Sequence, residues 1–215
     1  MIRDVIFNDE MSAYNDWNIV LTKSEISFPE VKTSIVDIKG ADGVLDLSEV
    51  LNGDVKYKNR NVKLTFELLD DTDYEEFISK LGAYLHGKVI TFQFTTDSLY
   101  FYTGRASISE WECVKRKGEV VIEIDCEPYK YRVNETIINV DVRNEETPVI
   151  LNNERQRVYP TLSVQGDVIM IWNNTVYELS DGIYKLLTFY LVEGDNKIIL
   201  NGNGSVKFIY RMGAL

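Results

Sequence analysis

The side chains that most often carry chemistry are scarce in this sequence, which has one histidine and two cysteines among 215 residues. With His86 alone, no site can use two imidazoles, and a catalytic triad has only this one place to form. There is no C-x-x-C pair, no H-E-x-x-H, no complete phosphate-binding G-x-x-x-x-G-K-[ST] and no G-x-S-x-G. We therefore predict no catalytic, cofactor-binding or metal-binding residues, and we assign His86 to a helix end, where the helix dipole favours it.

Cys113 and Cys126 flank a predicted β-hairpin whose tip is Lys117-Gly118. A two-residue loop at that tip sets Cys113 opposite Ile122 and turns both cysteines inward, together with Trp111. The same register separates the cysteines by about four residues, or roughly 13 Å along the strand, which exceeds the ~7 Å limit between the Cα atoms of a disulfide. We expect two buried free thiols.

Carboxylates are the remaining candidates. Asp42-Gly43 followed by Glu49 has part of the spacing of a calcium loop, but its first and third positions are Ile38 and Gly40, which offer no carboxylate. We therefore predict a turn between strands. A glycosidase-type pair needs only two acids about 5–10 Å apart, which composition leaves open. Most acids, however, fall on the solvent side of alternating strands, where solvation is their ordinary role.

Composition and charge limit the classes of partner. The chain is 45% hydrophobic and 12% aromatic, which is typical of a folded core. Its 34 acidic and 23 basic side chains give a net charge of −11, which argues against a nucleic-acid reader and against adsorption to anionic membranes. The first ten residues lack the apolar stretch of a signal peptide, and no segment approaches ~18 consecutive apolar residues. We expect synthesis and residence in the cytoplasm, without membrane insertion.

Alternation of apolar and polar residues predicts a mainly β chain. One segment, 72–86, instead has apolar residues three and four apart, which predicts an amphipathic helix. Thr72 and Glu75 form a capping box at its start, and Gly87 supplies a left-handed residue at its end. A single helix among many strands suggests a sheet or sandwich with one helix laid over it. The predicted strands include residues 61–68, 88–95, 119–127, 159–164, 167–172, 197–200 and 205–211.

The alternation weakens around residues 132–150, where Pro148 interrupts it, and we place a domain boundary near residue 135. Residues 1–135 contain 16 basic and 25 acidic side chains, and residues 136–215 contain 7 and 9. The first part therefore carries a net charge of −9 and the second a net charge of −2.

Three motifs appear in a specific order along residues 38–131. The segment Ile38-Lys39-Gly40-Ala41-Asp42-Gly43-Val44-Leu45-Asp46-Leu47-Ser48 is followed by Tyr57-Lys58-Asn59-Arg60, and the predicted helix then precedes Asp125-Cys126-Glu127-Pro128-Tyr129-Lys130-Tyr131. In this order the motifs resemble the amino-terminal domain of siphophage distal tail (Dit) proteins. The strand start at Tyr159-Pro160 and the segments 194–200 and 206–211 are similar to strands of the galectin-like β-sandwich of the same family.

The resemblance implies an N-terminal β-sandwich-like, ring-forming domain with one α-helix in residues 1–135, and a compact galectin-like β-sandwich in residues 136–215. It implies a structural, non-enzymatic role without cofactors in a siphophage or prophage. Such a protein is assembled in the bacterial host cytoplasm and resides at the virion tail tip as a homohexameric ring. Its implied partners are the tail tube protein, the tail-associated tip protein, and receptor-binding or baseplate proteins. DNA is only cargo passing through the channel, and we expect part of the acidic charge to face that channel.

A second interpretation is a carbohydrate-binding module of a baseplate that acts in host surface recognition. Trp172 and Tyr177 are its candidate stacking platforms. Galectin sugar sites rely on a histidine together with asparagine, arginine and tryptophan, and residues 136–215 contain no histidine. A baseplate-associated hydrolase that uses paired carboxylates is a third interpretation.

Overall fold

The computed structural model describes residues 4–50, 53–69, 73–114 and 117–215. The chain forms two compact units, Met1–Lys130 and Tyr131–Leu215, which we call unit 1 and unit 2. The fold is mainly β, with several antiparallel sheets and, within these ranges, a single α-helix. This confirms the predicted fold class, whereas the roles assigned to the two domains stay predictions. Of the described helices, none has the length and hydropathy needed to cross a lipid bilayer.

Unit 1 is an antiparallel sheet with one helix packed on it. Its elements are β1 (Val5–Phe7), β2 (Met11–Ser12), β3 (Ile19–Ile26), β4 (Ile35–Val36), β5 (Leu45–Asp46), β6 (Arg60–Leu68), α1 (Tyr74–Leu85), β7 (Val89–Phe94), a 3-10 helix (Thr95–Asp97), β8 (Tyr100–Val114) and β9 (Lys117–Cys126). Seven strands follow the order β2-β1-β7-β8-β9-β6-β3. The remaining two, β4 and β5, pair with each other in a small sheet of their own.

The sheet of unit 1 curls around its core. β1 and β6 are four positions apart in the strand order, yet the rings of Phe7 and Phe66 lie only 6.3 Å apart between centroids. The helix covers the core with Phe77, Leu81 and Leu85, the buried members of the spacing that predicted it. The two ends of the sheet therefore face each other across shared apolar side chains, which gives the unit its sandwich-like character.

The helix begins one residue later than the capping prediction places it. Asp73 is the N-cap, and its side chain accepts a hydrogen bond from the Glu76 amide at 3.2 Å. The predicted capping box of Thr72 and Glu75 is therefore wrong in position, and Thr72 itself lies outside the described residues. At the other end the prediction is confirmed, because Gly87 follows the helix with a φ of 77°.

The β8–β9 hairpin has a different register from the predicted one. Cys113 pairs with Gly118 and not with Ile122, so the connection is residues 115–116, which lie outside the described residues. The prediction read Gly118 as a turn residue. Its small size serves packing instead, since a Cβ atom there would lie 2.3 Å from Cε2 of the Tyr74 ring.

Unit 2 is a sandwich built on two long strands. Its elements are β10 (Lys130–Arg132), which begins at the division between the units, β11 (Thr136–Arg143), β12 (Thr147–Asn153), β13 (Thr161–Trp172), β14 (Thr175–Leu179), β15 (Gly182–Tyr184), β16 (Gly194–Tyr210) and β17 (Gly213–Ala214). β16 pairs with β12 through its first half and with β11 through its second. β13 likewise pairs with β15 and then with β14. The two halves share one core.

Glycines mark the corner at which β13 and β16 bend. Gly166 and Gly202 have φ values of 80° and 111°, and a Cβ at Gly204 would lie 2.0 Å from the carbonyl oxygen of Gln165. Such close backbone approach allows one strand to pass from one layer to the other. The sequence predicted four short strands here, and the structure shows two long, bent ones because the glycines kink the strands without ending them.

The segment 132–150 is more regular than its pattern indicated. It contains β11 and the start of β12, and Pro148 lies inside β12 opposite Ile199. The prediction that Pro148 interrupts the strand pattern is wrong. β12 is bonded only to β16 in this sheet, so it is an edge strand, where a residue without an N–H is tolerated.

Candidate assembly surfaces

The two cysteines are free, as predicted, but only one is buried. Desolvation raises the pKa of the Cys126 thiol to about 12, so this thiol is protonated and unreactive near neutral pH. Cys113 is exposed, so its predicted burial is wrong, and Trp111 is 56% exposed although its ring lies 5.6 Å from the Tyr74 ring of α1. The shifted register moves Cys113 from a position opposite the buried Ile122 to one opposite Gly118, near the end of the hairpin.

His86 is the C-cap residue of α1, which confirms its predicted place at a helix end. Its Nδ1 accepts a hydrogen bond from the Ile108 amide at 3.0 Å. Among the residues that the structure describes, no group of three or more His, Cys, Asp or Glu is arranged to hold a metal ion.

Of the two proposed stacking platforms of a sugar site, Trp172 belongs to the core of unit 2 and Tyr177 packs against that core. Trp172 is 7% exposed, and its ring packs edge-on against Phe189 and Tyr190 at 5.4 and 5.0 Å between centroids. Tyr177 contacts Phe189, and its hydroxyl donates to Thr188 Oγ1 at 3.2 Å. Burial of the Trp172 ring argues against a stacking role for this residue, whereas Tyr177 is only partly buried and its role stays a prediction.

An open groove of about 750 Å³ follows the glycine corner of unit 2. Its walls carry polar side chains that could contact hydroxyl groups, but its lining includes no aromatic ring on which a sugar could stack. The lining residues are Asn144, Gly166, Asp167, Val168, Ile169, Glu178, Leu179, Ser180, Gly202 and Asn203.

The most unusual surface of unit 1 is residues 27–59 between β3 and β6, which we call the arm. Many of its apolar side chains are exposed, with Phe28 at 79%, Val50 at 68% and Val44 at 62%. Covering all of them would contribute on the order of 10 kcal/mol before the costs of association. Exposed apolar side chains in this number are typical of surfaces that contact another protein. The exposed set is Phe28, Val31, Ile35, Val36, Ile38, Val44, Leu45 and Val50.

The distal part of the arm is a short hairpin held by local hydrogen bonds. β4 and β5 are joined through a turn that contains Asp42-Gly43, with Gly43 at a φ of 77°, which confirms the predicted turn. The Asp46 carboxylate accepts from the hydroxyl and the amide of Ser48 at 2.5 and 2.9 Å, and these bonds lower the pKa of Asp46. Ser48 Oγ in turn accepts from the Ser34 amide at 2.9 Å. The first sequence motif, residues 38–48, therefore supplies the turn and the hydrogen bonds that hold the hairpin of the arm.

The base of the arm is fixed by contacts between residues 57–60 and 125–129, which we call the clamp. These two segments are the second and last motifs of the sequence, far apart in the chain but adjacent in the fold. The contacts join the rings of Tyr57 and Tyr129 at 5.9 Å, Asn59 Nδ2 to the Asp125 carboxylate at 3.1 Å, and the Arg60 guanidinium to the Pro128 carbonyl.

Arg60 is the buried member of the clamp. It is 3% exposed, and burial lowers the pKa of its guanidinium, although an arginine stays charged at any physiological pH. The charge lies 5.8 Å from the centre of the Tyr102 ring and donates to the Pro128 carbonyl. Removing either the charge or its acceptor would leave a buried polar group unpaired, so the clamp fixes where the arm leaves the sheet.

The face of the unit 1 sheet opposite α1, which we call the open face, is acidic. Glu67 pairs with Glu119, and Glu119 pairs with Glu112, so three glutamates stand in one row across β6, β9 and β8. Like charges directly opposite each other destabilise a sheet. Lys63 lies 3.4 Å from Glu123 and 3.7 Å from Glu110 and offsets part of the charge. The open face also carries Asp125 and Arg105.

An apolar row crosses the outer face of unit 2. Val176 pairs with Ile171, Ile171 with Ile199, and Ile199 with Pro148, so the row spans four strands. Val176 is 58% and Ile199 37% exposed, and the neighbouring Ile150 is 56% exposed. This face is a second surface suited to contact with another protein.

Sequence reasoning found the motifs of the arm but not its exposure. The apolar residues from Phe28 to Val50 follow neither a period of two nor a period of 3.6 for more than a few positions. An apolar segment without a regular period is therefore the sequence feature that could have revealed the exposure. It indicates that the apolar side chains are not covered by a regular strand or helix of their own fold.

Comparison with known proteins supports the fold. No protein-family model matches the chain, and no curated protein matches it. Among solved structures, the chain is similar to SPP1 Dit (gp 19.1), described as a paradigm of the hub adsorption apparatus in phages that infect Gram-positive bacteria. The match has a TM-score of 0.71 at 14% identity and covers 99% of this chain and 100% of that one. The predicted resemblance to distal tail proteins is thereby confirmed for the fold.

Proposed function

We propose that this chain is a structural hub protein of a phage tail, in which arms join six copies into a ring. The observation that carries the proposal is the Dit fold, which extends over nearly the whole chain and includes both units. The proposal places the ring at the virion tail tip, after assembly in the bacterial cytoplasm. Its neighbours would be the tail tube above and the tip, receptor-binding or baseplate proteins below.

The arm supports assembly through contacts between copies. It leaves unit 1 between the edge strand β3 and its neighbour β6, and its apolar side chains need a covering surface. A standard interface buries ~800 Å² on each partner, and the exposed apolar side chains of the arm supply part of that area. If the arm of one copy docks on a different surface of the next, the contact is heterologous, and a heterologous contact that closes gives a ring. The number six comes from the resemblance to distal tail proteins.

The open face supports a channel through which DNA passes without adhering. The row Glu67–Glu119–Glu112 weakens the isolated sheet, so its presence favours a role in the assembly. Lining the channel with carboxylates would repel the DNA backbone. Changing Glu112 and Glu119 to lysine should leave the ring intact and slow DNA release from the particle. An unchanged rate of DNA release would contradict the proposal that the open face lines the channel.

The outer apolar row of unit 2 supports docking of another tail component. A carbohydrate-binding role has less support, because Trp172 is buried in the core and the groove of unit 2 has no aromatic ring in its lining. The proposal assigns no catalysis to the chain, and its hub role requires none.

The oligomeric state tests the proposal. Light scattering combined with size-exclusion chromatography, from about 1 µM to about 1 mM, covers the range in which a weak ring forms. We expect a species of about 150 kDa, six times the 24.8 kDa chain. A strict monomer at every concentration, also after addition of a tail tube protein, would contradict the proposal.

A further inference from the structure

His86 stands where a strand would otherwise continue beside β8. Gly87 donates to the Ala106 carbonyl at 2.8 Å, and the Ala106 amide donates to the Lys88 carbonyl at 2.9 Å, as in a ladder. The next amide of β8 on this side, that of Ile108, donates to His86 Nδ1 at 3.0 Å. An imidazole nitrogen therefore takes the place of a backbone carbonyl.

Unlike a hydrogen bond to a backbone carbonyl, this hydrogen bond depends on the protonation state of its acceptor. The Nδ1 atom accepts a hydrogen bond only while it carries no proton, because both nitrogens of an imidazolium are donors. The side chain of His86 is exposed, so protons reach it directly. Imidazole is the side-chain group whose charge changes within the pH range that proteins meet in solution.

The charged groups beside His86 are Lys88, directly before β7, and Arg105 of β8. Lys88 Nζ donates to the Ala83 carbonyl at 2.7 Å, and an Arg105 guanidinium nitrogen donates to the Gly87 carbonyl at 2.5 Å. Both are cations, so neither can accept a hydrogen bond from an imidazolium. Glu110 lies on the open face, where it contacts Lys63 at 3.7 Å. On α1, the acidic residues Glu75 and Glu76 are in the first turn, at the other end of the helix.

The backbone of β8 is irregular at the same point. The pairing between β8 and β9 shifts between Ile108 and Glu110, so a β-bulge follows directly after the amide that His86 binds. Regular pairing resumes toward Cys113. Breaking the hydrogen bond to His86 would therefore act on the outer part of the hairpin and on the end of α1, and not on the buried centre of the sheet.

We propose that His86 is a proton-sensitive latch between the end of α1 and β8. While the imidazole is neutral, the latch is closed through the Ile108 amide. When Nδ1 is protonated, that amide loses its acceptor, and the end of α1 separates from the bulge. The latch is a property of unit 1 alone and does not depend on the ring or on the proposed hub role.

Amide hydrogen exchange of Ile108, corrected for the intrinsic effect of pH, tests the latch in three forms of the full chain. In His86→Asn, the Oδ1 atom occupies the position of Nδ1 and accepts at every pH. In His86→Ala, the acceptor is missing at every pH. We expect the Ile108 amide of the wild type to exchange as slowly as that of His86→Asn at about pH 8. At about pH 5 it should exchange as fast as that of His86→Ala, a loss of protection of about fivefold to tenfold.

Ile122, which is fully buried in the sheet, is the internal control, and its protection should stay constant in all three forms. Parallel pH profiles of the wild type and His86→Asn would overturn the proposal. An independent readout uses the wild type alone: the ¹⁵N shifts of its single imidazole should show an unprotonated Nδ1 and a protonated Nε2 at about pH 8. The opposite tautomer would also overturn the proposal.

Discussion

The arm and the body of unit 1 use the same kinds of apolar side chain and leave them in opposite environments. In the body, Phe66 and Leu64 are fully buried by strands of the same chain. In the arm, Phe28 and Ile35 are 79% and 54% exposed. Since burial of such residues drives both folding and association, the difference separates the part of the chain that folds alone from the part that needs a partner.

The two regions also differ in what holds their shape. The body is held by a continuous core and long strand ladders. The arm depends on the clamp at its base and on the Asp46–Ser48 bonds in its hairpin. A change in the body should therefore alter stability, whereas a change in the arm should alter assembly and leave the stability of the monomer almost unchanged.

The largest effect is expected from the core. Phe66→Ala should lower the free energy of unfolding by about 3–5 kcal/mol, because it removes a fully buried ring and leaves a cavity. Urea denaturation followed by tryptophan fluorescence measures this change. A decrease of less than about 1 kcal/mol would mean that the body is not held by this core.

The complementary change is in the arm. The triple variant Ile35→Ser, Val36→Ser and Leu45→Ser should weaken assembly by at least about 100-fold while changing monomer stability by less than about 0.5 kcal/mol. Light scattering gives the first quantity and urea denaturation the second. The matched control is Ile183→Ser with Leu187→Ser, which alters two side chains of unit 2 that are 78% and 81% exposed. An equal loss of assembly in the control would contradict the claim that assembly depends specifically on the arm.

A smaller effect is expected from the glycine corner of unit 2. In Gly204→Ala the new methyl group meets the Gln165 carbonyl, and the strain should lower stability by about 1–3 kcal/mol. The control is Gly82→Ala in α1, whose nearest neighbour would be Ile108 Cδ1 at 4.0 Å and which should stabilise the chain by up to about 1 kcal/mol. Thermal melts of both variants would show shifts of opposite sign. A shift of the same sign would disprove the steric argument.

The smallest effect concerns the arm hairpin and pH. Hydrogen bonds from the Ser48 hydroxyl and amide lower the pKa of Asp46 below its usual value. The stabilisation is therefore present above the unfolded pKa of about 4 and is lost as the pH falls through the folded pKa. We expect the Ser48 amide resonance to shift toward its unfolded position in acid, and this transition to be absent from Asp46→Asn. A transition retained in Asp46→Asn would assign it to another group.

Some elements could be predicted from the sequence because one local pattern determined them. The apolar spacing of Phe77, Leu81 and Leu85 predicted α1, and Gly87 predicted its end. The alternation Val62, Leu64 and Phe66 predicted β6 and its buried face.

Other features depended on contacts that no local pattern reveals. The prediction of the hairpin register failed because Gly118 packs against the Tyr74 ring and does not form the turn. The prediction of four short strands failed because Gly166 and Gly202, which fall between the predicted strands, bend β13 and β16 without ending them. The clamp joins residues 57–60 to residues 125–129, so its motifs were recognisable in the sequence while their contact was not.

The most direct test of the role of the arm is a cryo-electron microscopy map of the assembled protein. We predict a six-fold ring in which residues 27–50 of each copy lie on the surface of the next copy, with Phe28 and Ile35 covered. A ring whose arms extend into solvent or fold back onto their own copy would contradict this prediction.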